Sequence, residues 1–200
     1  MKFPTGIFYE IQDKRIVKAI HNIPRELFVP NDLMDMAYIN TALPIGFGQT
    51  ISQPSLVAYM TQLLGLTGKE RVLEVGTGSG YQTALLAKLA YKVYTVEIIK
   101  GLHERAKEVL DKLGFDNIQF KLGDGYMGWE IWAPYDRILV TAAPPYIPEG
   151  LMNQLKDGGR MVIPVGGEGQ VQILKLIEKD GEETVERDMT YVRFVPMVGE

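Results

Sequence analysis

The 200-residue chain has no cysteine and only two histidines, His21 and His103. Without a thiol there is no disulfide scaffold, no thiolate nucleophile and no cysteine metal site, and two widely separated histidines cannot make a three-histidine metal centre. No metal is expected. Long apolar runs are also missing. Nowhere do about 18 uncharged apolar residues follow one another, and the opening stretch MKFPTGIFYEIQDKR has no sustained apolar segment, so neither a membrane span nor a secretory signal is expected. A cytoplasmic protein is the expectation. Nor is there an excess of basic charge: 21 Lys and Arg against 25 Asp and Glu leave a net charge of −4. That gives no electrostatic footprint for nucleic acid or for an anionic membrane surface.

What is present fits one globular domain. With 46% hydrophobic and 23% charged residues the chain lies outside the disordered range, and a chain of this length buries roughly 70% of its unfolded surface without staples. Apolar residues Ile11, Ile16, Val17 and Ile20 share a helical face that Pro24 brings to an end. Residues 38–53 (YINTALPIGFGQTISQ) read as an ordered loop because Pro44, Gly46 and Gly48 interrupt any period. Pro54 suits the first turn of a helix with Val57, Met60 and Leu64 on one face.

Strands and helices then alternate. RVLEV (71–75), a helix over 81–90, KVYTVE (92–97), a helix over 99–113, NIQFK (117–121) and DRILV (136–140) predict a parallel sheet covered by helices. Pro148 opens a short helix, and GGRMVIPVG (158–166) is a fifth strand. Residues 170–178 and 183–189 flank a turn at Lys179–Glu182, and YVRFVPM (191–197) reads as a last strand. The predicted fold is a doubly wound, mostly parallel α/β domain over residues 1–200. Within it, 1–53 form an N-terminal helical cap and ordered loop, 54–166 the α/β core and 167–200 a C-terminal β extension.

The strongest constellation is VLEVGTGSGY, in which a strand runs into Gly76, Gly78 and Gly80 and then into a helix. Such glycines let a ligand approach the main chain at a helix N-terminus. The spacing is G-x-G-x-G, and Tyr81 stands where the dinucleotide fingerprint needs a third glycine, which favours a nucleoside ligand without a pyrophosphate. Glu97 ends the next strand about 20 residues later, where a carboxylate accepts ribose hydroxyls, and Asp124 in Gly123-Asp124-Gly125 closes the third strand as an acceptor for an adenine amine. Singly these are a tight turn, a solvated strand end and a turn residue; in this order they point to one nucleoside site.

GQTISQP (48–54), VLEVGTGSGYQTA (72–84), VEIIKGL (96–102), GDGYMGW (123–129), YDRILVTAAPP (135–145), QLKDGGRMVIPVG (154–166) and VRFVPMVG (192–199) together resemble the protein-L-isoaspartate O-methyltransferase family, from about Pro24 to the C-terminus. The resemblance implies a Rossmann-like repair enzyme. It would transfer the methyl group of S-adenosyl-L-methionine to the α-carboxylate of L-isoaspartyl residues in damaged peptides and proteins, releasing S-adenosyl-L-homocysteine. Thr50, Ile51, Ser52, Glu74, Gly76, Thr77, Gly78, Ser79, Gly80, Tyr81, Glu97, Ile98, Gly123, Asp124 and Gly125 would hold the cofactor. Ile51, Ser52 and Val195 would meet the substrate, and Ser52 would be the active-site serine. A monomer is expected. Met197 and Val198 stand where the family pattern has leucine and, in some members, threonine.

A carboxylate acceptor is ionised at neutral pH, so the reaction needs no general base and no metal. Ser52 therefore positions the carboxylate with its hydroxyl, and its structural alternative is a cap for the helix at Pro54. His103 reads as solvent-facing, His21 as a helix-end residue, and Trp129 and Trp132 as packing for a loop. The rivals are another acceptor for the same cofactor, an NAD-dependent oxidoreductase and a cofactor-binding module without turnover.

Overall fold

The computed structural model describes residues 2–167, 169–181 and 183–199. Asp13 sets the start of the first helix, α1 (Lys14–Asn22), because its side chain accepts the Arg15 N–H. The helix thus begins three residues later than the apolar spacing from Ile11 indicated, and it buries Ile16 and Ile20. His21, in its last turn, lies edge-on to Phe3 and Phe8.

Residues 38–53 are more than a loop. They contain a hairpin of β1 (Leu43–Gly46) and β2 (Gln49–Ile51), with Leu43 opposite Ile51. The residues that hid it build its turn: Gly46 and Gly48 have positive φ, and Phe47 between them adopts φ 55°. Beneath them the strand alternation holds, with Leu43 and Ile45 buried and Pro44 and Gly46 exposed. Helix α2 (Pro54–Leu64) follows, with Pro54 in its first turn and Val57, Met60 and Leu64 buried.

The remaining elements are β3 (Arg71–Val75), α3 (Tyr81–Leu89), β4 (Lys92–Glu97), α4 (Lys100–Lys112), β5 (Ile118–Leu122), β6 (Tyr135–Val140), α5 (Glu149–Gln154), β7 (Leu155–Val165), β8 (Gln172–Asp180) and β9 (Glu183–Val192). They form one sheet in the order β5-β4-β3-β6-β7-β8-β9, parallel through β7 and antiparallel for the last two pairs. The chain winds outward from β3 to β5 and then returns to the other side of β3, so the strand order reverses between β3 and β6. A crevice opens there at the carboxyl ends of the strands.

Alternation along the strands makes two cores. Val72, Val93, Leu139 and Val162 pack with the apolar stripes of α1 to α4, whereas Leu73, Val75, Tyr94, Val96 and Ile138 pack with Leu151 of α5. Trp129 and Trp132 both lie against the Tyr94 ring on that second side, as loop packing requires. His103 is half-buried rather than solvent-facing, because its ring rests edge-on to Phe120.

The tail departs from the expected pattern. β9 continues through Val192, and residues 193–199 form no strand. Instead they cross the carboxyl end of the sheet: the Ala143 N–H donates to the Val195 carbonyl and the Met197 N–H to the Ala143 carbonyl, both at 2.9 Å. Of the turn at 179–182, Lys179 and Asp180 still belong to β8, Gly181 has φ 60°, and Glu182 lies outside the described residues.

Candidate active site

The glycine loop is anchored to the strand beside it. Gly76 and Thr77 donate their N–H groups to the Val96 carbonyl at 2.9 and 3.3 Å, and Gly80 donates to Thr77 at 2.8 Å. Gly76 has φ +96°, and a Cβ there would run into Thr141 Oγ1. Thr141 itself donates toward the Val75 and Gly76 carbonyls, at 3.0 and 2.5 Å, pinning the end of β3 to the end of β6. This leaves Gly76, Thr77, Gly78, Ser79 and Tyr81 on the floor of a cleft.

Glu97 closes one wall. Its two carboxylate oxygens accept separate backbone groups, Gly78 N–H at 2.8 Å and Ile99 N–H at 2.9 Å. Each oxygen keeps a further lone pair toward the cleft. Ile98 lines the same wall, and Thr50, Ile51, Ser52, Gly125 and Val195 complete the enclosure. Thr50, Ser52, Thr141 and Val195 also line a second, more open groove that runs along residues 189–195.

Four residues expected at the cofactor are engaged by other parts of the fold. Gly80 is behind the loop, where a Cβ would press on Leu110 and Ala106 at 3.0 and 3.2 Å, so its lack of a side chain serves the packing of α3 on α4. Asp124 Oδ1 accepts the Tyr126 N–H at 2.8 Å and caps the short turn Gly125–Met127, which brings Gly125 to the cleft directly after Gly123 and Asp124.

Glu74 is fully buried under the loop and does not reach the cleft. One of its oxygens accepts the Thr83 and Thr95 hydroxyls at 2.5 and 2.7 Å; the other has no partner. Burial pushes its carboxyl up to about 8, because two hydroxyls offset only part of the cost of an ion away from water. Contact with the cleft passes through Thr95, whose hydroxyl is 2.6 Å from that of cleft-lining Thr77.

Ser52 does not cap α2. The cap position belongs to Gln53, and the Ser55 N–H at the helix start is taken by Asn40 Oδ1 at 3.0 Å. Among the described residues no group of His, Asp and Glu could hold a metal ion.

A model of the family Protein-L-isoaspartate(D-aspartate) O-methyltransferase matches residues 7–200. The chain belongs to the protein-L-isoaspartate O-methyltransferase family. The match includes α1, which carries no motif recognisable by eye. Family relatives from Dictyoglomus thermophilum and Anaeromyxobacter dehalogenans are 57% and 55% identical, over 95% and 94% of this chain and 86% and 90% of their own length. A solved protein-L-isoaspartate O-methyltransferase, 33% identical, superposes with a TM-score of 0.88 over 100% of this chain and 66% of its own. A second, from Plasmodium falciparum in complex with S-adenosyl-L-homocysteine, is 24% identical with a TM-score of 0.83 over 98% and 94% of the two chains, which shows the shared fold.

Within this isoaspartate methyltransferase, two residues of the site escape a linear reading. Thr141 follows a strand like any loop residue, and only the pairing of β3 with β6 gives it its role. Arg25 sits in a segment with no catalytic signature, yet its guanidinium is fully buried and donates to the Ser52 carbonyl at 2.7 Å.

Proposed function

We propose that the cleft over Gly76–Tyr81 holds S-adenosyl-L-methionine and that the adjoining groove presents the α-carboxylate of an L-isoaspartyl residue beside Ser52. As a protein-L-isoaspartate O-methyltransferase the enzyme methylates that carboxylate in damaged proteins, and the ester then closes to a succinimide. The observation that carries the placement is that Ser52 lines both the cleft and the adjoining groove. A group held there faces cofactor on one side and peptide on the other.

The residues fit the cofactor. Gly76 and Gly78, which line the cleft, have positive φ, so the main chain approaches a ligand without side chains in between. The spare lone pairs of Glu97 match a pair of ribose hydroxyls. The complex of the Plasmodium structure with S-adenosyl-L-homocysteine supports the same assignment. When bound, S-adenosyl-L-methionine supplies an electrophilic methyl group on a sulfonium.

The chain's own work is alignment and exclusion of water, which together contribute on the order of 7–11 kcal/mol in well-oriented reactions. Ser52 donates its hydroxyl to one carboxylate oxygen and leaves the other to attack. The Val195 carbonyl is occupied by Ala143, so its N–H is what it can offer a peptide backbone. Thr141 holds the floor of the cleft to its neighbour strand.

The same reading takes the protein as a cytoplasmic monomer that binds neither nucleic acid nor membranes. In support, the net charge is −4, and among the described residues no helix is long and apolar enough to cross a membrane. It also takes the chain as one methyltransferase domain with a cap over 1–53, a cofactor core over 54–166 and a β extension over 167–200. Radiolabelled methyl transfer to two peptides, alike except for L-isoaspartate or L-aspartate at one position, tests the function. Base-labile label on the isoaspartyl peptide alone is expected; label on neither, with cofactor binding intact, would overturn it.

A further inference from the structure

Arg25 is fully buried, and the groups that hold it carry no charge. Its Nε donates to the Ala37 carbonyl at 2.8 Å and its Nη2 to the Ser52 carbonyl at 2.7 Å, while the guanidinium lies over the Tyr81 ring, 4.5 Å from the centroid. No ion pair among the described residues includes it. The neighbouring carboxylate, Glu26, is engaged by Lys2 and by the Tyr38 hydroxyl. Arg25 and the Tyr81 hydroxyl, itself buried, interact through their side chains, which gives the cation a neutral partner and no anion. Burial lowers the guanidinium to about 10, which still leaves it ionised at neutral pH.

A buried cation without an anion destabilises a fold. An anion arriving nearby would offset that cost. The reaction brings one to the far side of Ser52, the residue whose carbonyl Arg25 grips, and then removes it. An oxygen–carbon bond forms, the sulfur–carbon bond breaks, and the carboxylate becomes a neutral ester.

We propose that Arg25 is a specificity-determining residue whose uncompensated charge behind Ser52 draws the α-carboxylate into the acceptor position and lets the neutral ester leave. The proposal rests on the reading that Ser52 faces that carboxylate. Because the charge on the acceptor disappears during transfer, Arg25 favours bound substrate over bound product and does not lower the barrier. Its loss raises KM for the peptide and does not lower kcat.

The test compares an isoaspartyl peptide with the same peptide bearing an α-carboxamide, an uncharged isostere. Each is titrated onto enzyme saturated with S-adenosyl-L-homocysteine, so that no turnover intervenes. Wild type should bind the carboxylate at least about tenfold more tightly than the amide, Arg25→Gln should bind the two within about twofold, and Arg25→Lys should keep most of the preference. A purely structural role would weaken both peptides in step and leave the ratio intact, which would overturn the proposal. Should Arg25→Gln fail to fold, Arg25→Met takes its place, and a folded Arg25→Met that keeps the wild-type ratio overturns it equally. A wild type with no preference removes the Ser52 reading itself, and the proposal with it.

Discussion

The carboxylate of Glu97 accepts the backbone N–H of Gly78 at 2.8 Å, so the last residue of β4 fixes the loop that leaves β3. The other oxygen does the same for Ile99 at the entrance to α4. One side chain therefore sets both the wall of the cleft and its floor.

Glu97→Ala should weaken binding of S-adenosyl-L-homocysteine by about 10- to 100-fold, the size expected for losing hydrogen bonds to a charged acceptor. Calorimetric titration measures the affinity. Faster hydrogen exchange at the Gly78 amide should accompany it, because that donor loses its partner. Near-normal affinity would remove the ribose assignment.

Ser52→Ala should lower kcat and leave cofactor affinity and thermal unfolding close to wild type. The start of α2 depends on Asn40 instead, whose Oδ1 holds the Ser55 N–H. Asn40→Ala should accordingly cost about 1 kcal/mol of stability, read from urea unfolding. If Ser52→Ala proved the less stable of the two, the positioning role would be in question.

Glu74 makes stability depend on pH with a defined sign. Its carboxyl titrates near 4.5 in the unfolded chain and at about 8 in the folded one. Between those values the folded state holds a proton that the unfolded state lacks, so this contribution is complete below 4.5 and is lost as pH rises through 8. Glu74→Gln should abolish that slope, about 1.4 kcal/mol per pH unit at most, and should gain on wild type as pH rises. Urea midpoints for both proteins from pH 5 to 9 provide the comparison, and parallel curves would contradict it.

Gly76→Ala should be more damaging than its size suggests. The position has φ +96°, and the added methyl group meets Thr141 Oγ1. Both cofactor affinity and thermal stability should fall together. Thr141→Ser in the same background should not restore them, because the serine hydroxyl occupies the same place.

The parallel core was readable because each strand of β3 to β6 is a compact apolar run followed by a helix period or a glycine turn, and the sheet realises that order. The cofactor loop was readable for the same reason: its glycines and Glu97 follow strand ends. What escaped depends on partners distant in sequence. The hairpin at 43–51 was masked by Pro44, Gly46 and Gly48, although Leu43 and Ile45 keep the two-residue alternation. Gly80 and Asp124 carry the motif and also serve packing and capping, second roles that need α4 and the Gly125–Met127 turn in place. Arg25 was invisible because a buried arginine looks, in sequence, like any other surface cation.

The segment 193–199 crosses the carboxyl end of the sheet and pairs with Ala143, and Val195, Pro196, Met197 and Val198 line the cofactor cleft. During synthesis the strands from β3 to β7 emerge long before this wall exists. A chain can thus assemble its parallel sheet while remaining unable to enclose a ligand, and the cleft closes only once the segment 193–199 lies across it.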